Sequence, residues 1–264
     1  MILVTGASGF VGSKIMQICK DVIACPSLRG LSEDAIKRIV EESQVDAIVH
    51  TAAIANMQVC EADPDESYLA NVQIPVALAK ASKNIKLLCF STDQVYNGTV
   101  EDGPYTEDMV NPANVYAKHK LEMEQRVLDI APDSVMLRAE WMYDYCFIDK
   151  PNYFMKVMKA QDSVTASSKQ YRGVTYVKEV AENIPKAMLL PGGAYNYGSE
   201  TTKCMYDITK DFLALIGKDI RIEDVPPPST NLLLNCQKAR NGGVIFSDVD
   251  EGLRKCAKDH GIVK

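Results

Sequence analysis

The chain has 264 residues, of which 47% are hydrophobic and 24% are charged, a composition that suits a globular protein with a sizeable core. Its formal net charge of −6 argues against a nucleic-acid or membrane partner, because those surfaces select for basic patches. The eight cysteines include no Cys-x-x-Cys pair, and there are only three histidines. Neither a disulfide framework nor a metal site is therefore expected.

Nothing at the start of the sequence indicates a targeting segment. Met1 leads directly into a short apolar run, without the basic region that opens a signal peptide. No apolar run approaches the roughly 18 residues needed to cross a bilayer. Together with the scattered cysteines, these features predict a protein of the reducing cytoplasm.

The first elements are a strand, a glycine turn and a helix. Residues 1–5 form an apolar run typical of a buried strand, and a helix is predicted over residues 10–20. The turn carries glycines at relative positions one, four and seven, a spacing that allows a tight turn, close approach of a pyrophosphate and close helix packing. It predicts a dinucleotide site at the helix N-terminus. The candidate cofactor-binding residues here are Gly6, Ser8, Gly9, Phe10, Val11 and Gly12.

The second strand is predicted over residues 21–25, and the segment that follows it bears on the choice of cofactor. An NAD-binding protein usually places an acid there for the ribose hydroxyls, but this segment contains Ser27 and Arg29 and no acid. An arginine with a nearby serine suits the 2′-phosphate of NADP, although Arg29 could also be a solvated loop residue. We therefore expect NADP(H) to be preferred, with NAD(H) possible.

A third strand is predicted over residues 45–50. The small residues Thr51, Ala52 and Ala53 follow it, where a cofactor can lie close to the backbone. A helix is predicted over residues 64–83 and contains Asn71 within an apolar stretch. Asn71 is either a buried structural residue or part of a polar relay at the cofactor.

The stretch from Ser91 to Lys120 carries the candidate chemistry. Residues 86–90 predict a buried strand, so Thr92 follows its carboxyl end, where open α/β sheets bind ligands. Tyr116 and Lys120 are four residues apart on a helix predicted over residues 115–130, so they share one face. A lysine cation lowers the pKa of a neighbouring phenol and favours proton transfer. The pair alone also fits a half-buried tyrosine beside a solvated lysine.

Motifs along residues 1–143 resemble the extended short-chain dehydrogenase/reductase superfamily. Those that carry the resemblance are the glycine turn, His50-Thr-Ala-Ala53, Asn71-Val72, Ser91-Thr-Asp93, Val95-Tyr96, and Tyr116 with Lys120. A second set is similar to the dTDP-4-dehydrorhamnose reductase family: Cys60-Glu61, Asp63-Pro64, Ser-Thr-Asp-x-Val-Tyr-x-Gly at 91–98, Pro104-Tyr-x-Glu107, Asn111-Pro112 and Leu137-Arg138-x-x-Trp141. The resemblance implies an α/β fold: a doubly wound parallel (Rossmann) sheet with a smaller mixed C-terminal substrate domain.

The family's residue roles carry over where the motifs match. The resemblance implies that Tyr116 is the general acid, that Lys120 lowers its pKa and holds the nicotinamide ribose, and that Thr92 fixes the substrate carbonyl. Asp93, Trp141 and Arg172 are the candidate substrate-binding residues, although Trp141 also fits an ordinary core or interface position. Ala139 and Glu140 stand where the family more often has small hydroxyl residues.

The C-terminal part is predicted as a substrate domain over residues 144–264, after a dinucleotide-binding domain over residues 1–143. A strand near residues 194–199 could return to the first domain. The arginine that the family places before a proline is absent at residues 226–228. Arg172 or Arg240 could compensate for it on a diphosphate, and Arg172 could equally pair with surface carboxylates.

The resemblance implies an NADPH-dependent reductase of a nucleotide-activated 4-keto-6-deoxysugar, most closely a dTDP-4-dehydrorhamnose reductase. A sugar-nucleotide epimerase and a non-catalytic NADP-binding regulatory subunit are the alternatives. The superfamily's dehydratases carry an acid where this sequence has Gln94, so dehydration is not expected. The predicted partner is a small nucleotide-sugar substrate, and a homodimer is possible.

Overall fold

A six-stranded parallel sheet forms the centre of the protein. The computed structural model describes residues 1–145, 152–225 and 230–263. The central strands are β1 (Ile2–Thr5), β2 (Val22–Ala24), β3 (Ala47–His50), β4 (Lys86–Thr92), β5 (Val135–Ala139) and β10 (Gly193–Tyr197), in the spatial order β10-β5-β4-β3-β1-β2. Strand β2 pairs with one edge of β1, and the chain then crosses to the other edge of β1, where β3 pairs. Such a reversal is where doubly wound sheets bind ligands, at the carboxyl ends of the strands.

Helices cover both faces of this sheet, as the predicted doubly wound fold requires. They are α1 (Phe10–Ile18), α2 (Glu33–Ser43), α3 (Met57–Ala62), α4 (Pro64–Tyr68), α5 (Ile74–Ala81), α6 (Val115–Ile130), α7 (Tyr153–Lys159), α8 (Val177–Glu182), α9 (Ile184–Ala187), α10 (Met205–Leu215), α11 (Gln237–Asn241) and α12 (Val249–Asp259). In the part of the chain that is described, none of the helices is both long and apolar enough to cross a membrane.

The two faces of the sheet bury separate apolar cores, because successive strand residues point to opposite sides. Leu3 and Ile48 pack with residues of α2, α5 and α6. Their neighbours Val4 and Val49 pack with residues of α1, α8 and α9 on the other face. Both faces are thus covered, and the predicted α/β fold is confirmed.

The smaller C-terminal part is built from three short parallel strand pairs. They are β6 (Trp141–Tyr143) with β9 (Val174–Tyr176), β7 (Ser163–Ala166) with β11 (Arg221–Asp224), and β8 (Gln170–Arg172) with β12 (Thr230–Leu232). A third apolar core, which includes the aromatic residues Phe154 and Phe212, packs against residues of β6, β7, β9 and β11. Strand β10, although late in the sequence, pairs with β5 in the central sheet.

Two helical stretches are interrupted where a proline follows. The helix predicted over residues 64–83 is divided into α4, a π-helical turn (Leu69–Gln73) and α5. A later stretch over residues 177–187 is divided into α8 and α9. Pro75 and Pro185 have no N–H to donate to the carbonyl four residues earlier, so the regular hydrogen-bond ladder cannot continue through them.

A buried ion pair fixes α6 against the sheet. The Arg138 guanidinium, on β5, donates to both carboxylate oxygens of Glu124, on α6, with the Nη2–Oε2 distance 2.7 Å. The Ser91 hydroxyl donates to the same carboxylate, and Arg138 Nη1 donates to Tyr96 Oη at 2.9 Å. Glu124 lies four residues after Lys120 and eight after Tyr116, so this network sets the face that α6 turns toward the sheet.

Replacement of Arg138 by methionine should therefore destabilise the protein strongly. It leaves the Glu124 carboxylate buried and unpaired, which costs about 3–5 kcal/mol of the free energy of unfolding. Arg126 pairs with Glu122 at 3.3 Å on the exposed side of α6, so Arg126→Met should cost less than about 1 kcal/mol. Urea unfolding of both variants measures the difference, and equal losses would contradict the role of the buried pair.

Candidate active site

A cavity of about 1110 Å³ runs along the carboxyl edge of the central sheet. It is lined by the glycine turn after β1, the segments after β2 and β3, the end of β4, the first turns of α6, and the start of β6. The predicted cofactor residues and the predicted catalytic residues therefore line one continuous space. Of the candidate residues, Gly12, Asn71 and Arg172 are not in the cavity wall.

The glycine turn requires glycine for steric reasons. Gly6 has a φ of +67°, and a Cβ there would lie 2.8 Å from the backbone nitrogen of Ala52. A Cβ on Gly12 would lie 2.1 Å from the carbonyl oxygen of Gly6, so Gly12 serves helix packing. No side chain caps α1 at Gly9, and the positive end of the helix dipole faces the cavity. This arrangement fits a dinucleotide pyrophosphate.

The cavity wall after β2 contains Ser27 and Arg29 and no carboxylate. The Arg29 side chain is 57% exposed and its Nε lies 3.4 Å from Glu66 Oε1. A loose surface ion pair of this kind contributes little to stability. The guanidinium can therefore turn toward an anion in the cavity. The local chemistry fits the 2′-phosphate of NADP.

Asn71 holds the loop that follows β3. Its side-chain oxygen accepts from Ile54 N at 3.1 Å, and its Nδ2 donates to Ile54 O at 3.0 Å and Ser67 Oγ at 3.2 Å. Thr51 is fixed separately, since its hydroxyl donates to Thr5 O at 2.7 Å. These bonds place Thr51–Ala53 in the cavity wall, and they favour the structural interpretation of Asn71.

The three predicted catalytic side chains come together at the end of β4. The Asn114 side chain caps α6 by accepting from Ala117 N at 2.8 Å, which places Tyr116 in the first turn. The fully buried Lys120 ammonium donates to Phe90 O at 2.5 Å. The Thr92 hydroxyl lies beside the Tyr116 phenol, and both side chains line the cavity.

Burial changes the pKa values of this group. Burial raises the pKa of Tyr116, an effect that the neighbouring Thr92 hydroxyl only partly offsets. Desolvation thus dominates the pKa of the phenol in this structure, and the lowering of that pKa by Lys120 stays a prediction. Burial also lowers the pKa of Lys120 to about 8. A phenol that keeps its proton at neutral pH is suited to act as an acid.

His50, at the end of β3, does not add a second cation beside Lys120. Its Nδ1 is hydrogen-bonded to Thr5 Oγ1 at 2.8 Å. Burial, together with the neighbouring Lys120 charge, lowers the pKa of His50 to about 3. The imidazole is therefore neutral at physiological pH.

The opposite end of the cavity is lined by Asp93, Gln94, Glu140 and Trp141. Arg172 lies behind this wall, where its guanidinium forms an ion pair with Asp93 and stacks on the Trp141 ring at 3.9 Å from the centroid. Arg172 is 3% exposed. Arg240, the other cation considered for a diphosphate, is paired with Glu200. Residues 226–228, where the family's arginine is missing, lie outside the described residues.

Glu140 is a buried acid at a position where the family more often has a small hydroxyl residue. The sequence does not indicate its hydrogen-bond partners. Its Oε1 accepts from Thr175 Oγ1 at 2.6 Å and from Ser199 N at 2.9 Å. A Cβ on Gly173 would lie 2.2 Å from its Oε2, and one on Gly198 would lie 2.6 Å from its Oε1. Burial raises the pKa of Glu140 from 4.5 to about 8. At neutral pH this carboxyl group is mainly protonated.

A further residue that sequence reasoning missed is Glu124. The sequence does contain a signal for Glu124, because Tyr116, Lys120 and Glu124 are spaced four residues apart and so lie on one face of the helix. That face would be expected to carry apolar residues if it only packed on the sheet.

We expect Glu140 to make stability fall as the pH rises. Between pH 4.5 and about 8 the unfolded chain loses this proton while the folded protein keeps it. The free energy of unfolding therefore decreases with pH in that window, by up to about 1.4 kcal/mol per unit. Glu140→Gln stays neutral and retains an oxygen for Thr175 and Ser199, so the decrease should be absent.

Thermal unfolding between pH 5 and 8.5 measures this difference, with Glu122→Gln on the exposed face of α6 as the matched control. If Glu140→Gln and the parent lose stability in parallel, Glu140 is not a buried neutral acid.

Comparison with known proteins identifies relatives that match most of the chain. A dTDP-4-dehydrorhamnose reductase from Aggregatibacter actinomycetemcomitans is 28% identical over 227 residues, which cover 78% of this chain and 76% of that protein. Methionine adenosyltransferase 2 subunit beta from Danio rerio is 29% identical over 234 residues, covering 79% and 71%.

The fold also matches solved structures over nearly its whole length. The dTDP-4-dehydrorhamnose reductase from Bacillus anthracis str. Ames, in complex with NADP, superimposes with a TM-score of 0.85 at 22% identity, covering 98% of both chains. The family model described as the RmlD substrate binding domain matches residues 1–232, which confirms the resemblance inferred from the motifs. The chain belongs to the RmlD substrate binding domain family.

Proposed function

We propose that the protein is an NADPH-dependent reductase of a nucleotide-activated 4-keto-6-deoxysugar. The best substrate would be dTDP-4-dehydro-6-deoxy-L-mannose, giving dTDP-L-rhamnose. One observation carries this proposal: a single cavity joins the pyrophosphate-type glycine turn to Thr92, Tyr116 and Lys120. The names of the reductase relatives support the same reaction.

The residues present fit the cofactor. The glycine turn excludes side chains from its inner surface, and α1 begins there without a capping side chain. Ser8, Gly9, Phe10 and Val11 would hold the pyrophosphate, and Ser27 with Arg29 the 2′-phosphate. Thr51–Ala53 would border the nicotinamide half, and Lys120 would hold its ribose.

When bound, NADPH supplies the hydride that adds to the substrate carbonyl carbon. The Tyr116 phenol then transfers its proton to the carbonyl oxygen, so that the ketone becomes an alcohol. The Thr92 hydroxyl stabilises the developing oxyanion by a hydrogen bond. The Lys120 charge stabilises the phenolate left on Tyr116. The Tyr116 phenol is protonated at neutral pH, so it carries the proton that it donates.

A panel of nucleotide 4-keto sugars with NADPH, followed by absorbance at 340 nm and product analysis, tests the reaction. Tyr116→Phe should keep NADPH affinity but lower kcat by roughly 10²–10⁴, the usual contribution of a positioned acid. Tyr68→Phe is the matched control, since its hydroxyl pairs with Glu122 on the surface of α6. Near-native turnover by Tyr116→Phe would remove Tyr116 from the mechanism.

A second candidate function follows from the relatives named methionine adenosyltransferase 2 subunit beta. On this alternative the protein is a non-catalytic NADP-binding subunit. The parent would then bind NADPH but reduce no member of the panel. The joint presence of Thr92, Tyr116 and Lys120 in the cavity supports the reductase instead.

The position of Arg29 predicts a preference for NADPH over NADH. Loss of one charge-assisted hydrogen bond costs about 1.5–3 kcal/mol, so Arg29→Ala should weaken NADPH binding by roughly tenfold or more while leaving NADH binding unchanged. Arg38→Ala removes the same charge from the exposed face of α2 and is the control. Fluorescence titration of both cofactors measures the ratio, and a ratio unaltered by Arg29→Ala would refute the assignment.

A further inference from the structure

The Trp141 indole lies between the cavity and the buried Arg172 guanidinium. Trp141 is 41% exposed and lines the cavity. The Arg172 guanidinium lies 3.9 Å from the ring centroid and is not part of the cavity wall. It therefore covers the face of the indole turned away from the cavity, in a desolvated cation–π contact.

Arg172 is held in this place by an acid from another element. Asp93, directly after β4, pairs with its Nη2. Glu140, between β5 and β6, lies near this pair and is mainly protonated at neutral pH. The Arg172 guanidinium and the Asp93 carboxylate are both buried, so water screens their attraction only weakly. A buried guanidinium with fixed partners is poorly placed to bind a substrate directly.

Asp93 connects this cluster to the catalytic group. While its Oδ2 faces Arg172, its Oδ1 accepts from Thr92 Oγ1 at 3.2 Å and from Gln94 Nε2 at 3.3 Å. Thr92 in turn lies beside Tyr116 in the cavity wall. A continuous series of contacts thus runs from the Trp141 ring through Arg172 and Asp93 to the Thr92 hydroxyl.

We propose that Arg172 is a positioning residue, which fixes the Trp141 indole as a wall of the substrate end of the cavity and orients Asp93 toward Thr92. In this role the guanidinium contacts neither the diphosphate nor the sugar of the substrate. The kinetic part of the inference rests on the reductase function proposed above, whereas the placement of Trp141 does not.

Tryptophan fluorescence reports directly on the surroundings of Trp141, because the sequence contains one tryptophan. In the absence of any ligand, Arg172→Met should shift the emission maximum and raise the acrylamide quenching constant about twofold, since it removes the group packed on the indole. Arg126→Met, a surface arginine on α6, should leave both unchanged. Unchanged emission and quenching in Arg172→Met would show that the guanidinium does not hold the indole, and would overturn the proposal.

Arg172→Met leaves Asp93 buried without its cation and could fail to fold. Arg172→Met combined with Asp93→Asn removes both charges and keeps the fluorescence test available. Arg172→Lys retains the charge but loses the planar stacking group. We expect the double variant to behave like Arg172→Met, and the lysine variant to lie between it and the parent. A lysine variant as freely quenched as Arg172→Met would show that stacking alone matters, and one identical to the parent would count against the stacking role.

Steady-state kinetics provides the second measurement. Displacing both Trp141 and Thr92 should raise KM roughly tenfold and also lower kcat in Arg172→Lys, with NADPH affinity unchanged. A rise in KM with kcat intact would instead indicate a direct contact with the substrate and would overturn the positioning role. If the parent reduces no nucleotide sugar, the proposed function fails, and the fluorescence result still decides the placement of Trp141.

Discussion

The buried pair between Arg138 and Glu124 is the interaction on which the site depends most. It joins strand β5 to α6, the helix that carries Tyr116 and Lys120. The Glu124 carboxylate also accepts a hydrogen bond from the Ser91 hydroxyl. Each of these buried charges would destabilise the fold without the other, because water cannot solvate either of them. The rotation of α6 is therefore set by hydrogen-bond geometry, whereas apolar packing alone would tolerate small rotations.

Desolvation dominates the electrostatics along the carboxyl edge of the sheet. It lowers the pKa of Lys120 and raises the pKa values of Tyr116 and Glu140, so each group moves toward its neutral form. Charge is then retained only where a partner is fixed, as in the Asp93–Arg172 pair. A site of this kind can hold a proton on Tyr116 until an anion forms beside it.

Local patterns in the sequence predicted the parts of the site that depend on neighbouring residues. The glycine turn and the spacing of Tyr116 and Lys120 belong to this class, because strand, turn and helix geometry fix them within a few residues. The partners of Arg172 and Glu140 could not be predicted in that way. Asp93 is 79 positions from Arg172, and Ser199 is 59 positions from Glu140, so only the tertiary fold brings them together.

The packing of Glu140 between Gly173 and Gly198 has a consequence for how the family can diverge. Neither glycine could gain a methyl group while a glutamate occupies position 140, because the new carbon would overlap the carboxyl group. A smaller residue at position 140 would remove that constraint at position 198, whereas a Cβ at position 173 would still lie 2.3 Å from the carbonyl oxygen of Ser199. Substitutions at positions 140 and 198 should therefore be interdependent, and among homologous chains these two positions are expected to covary.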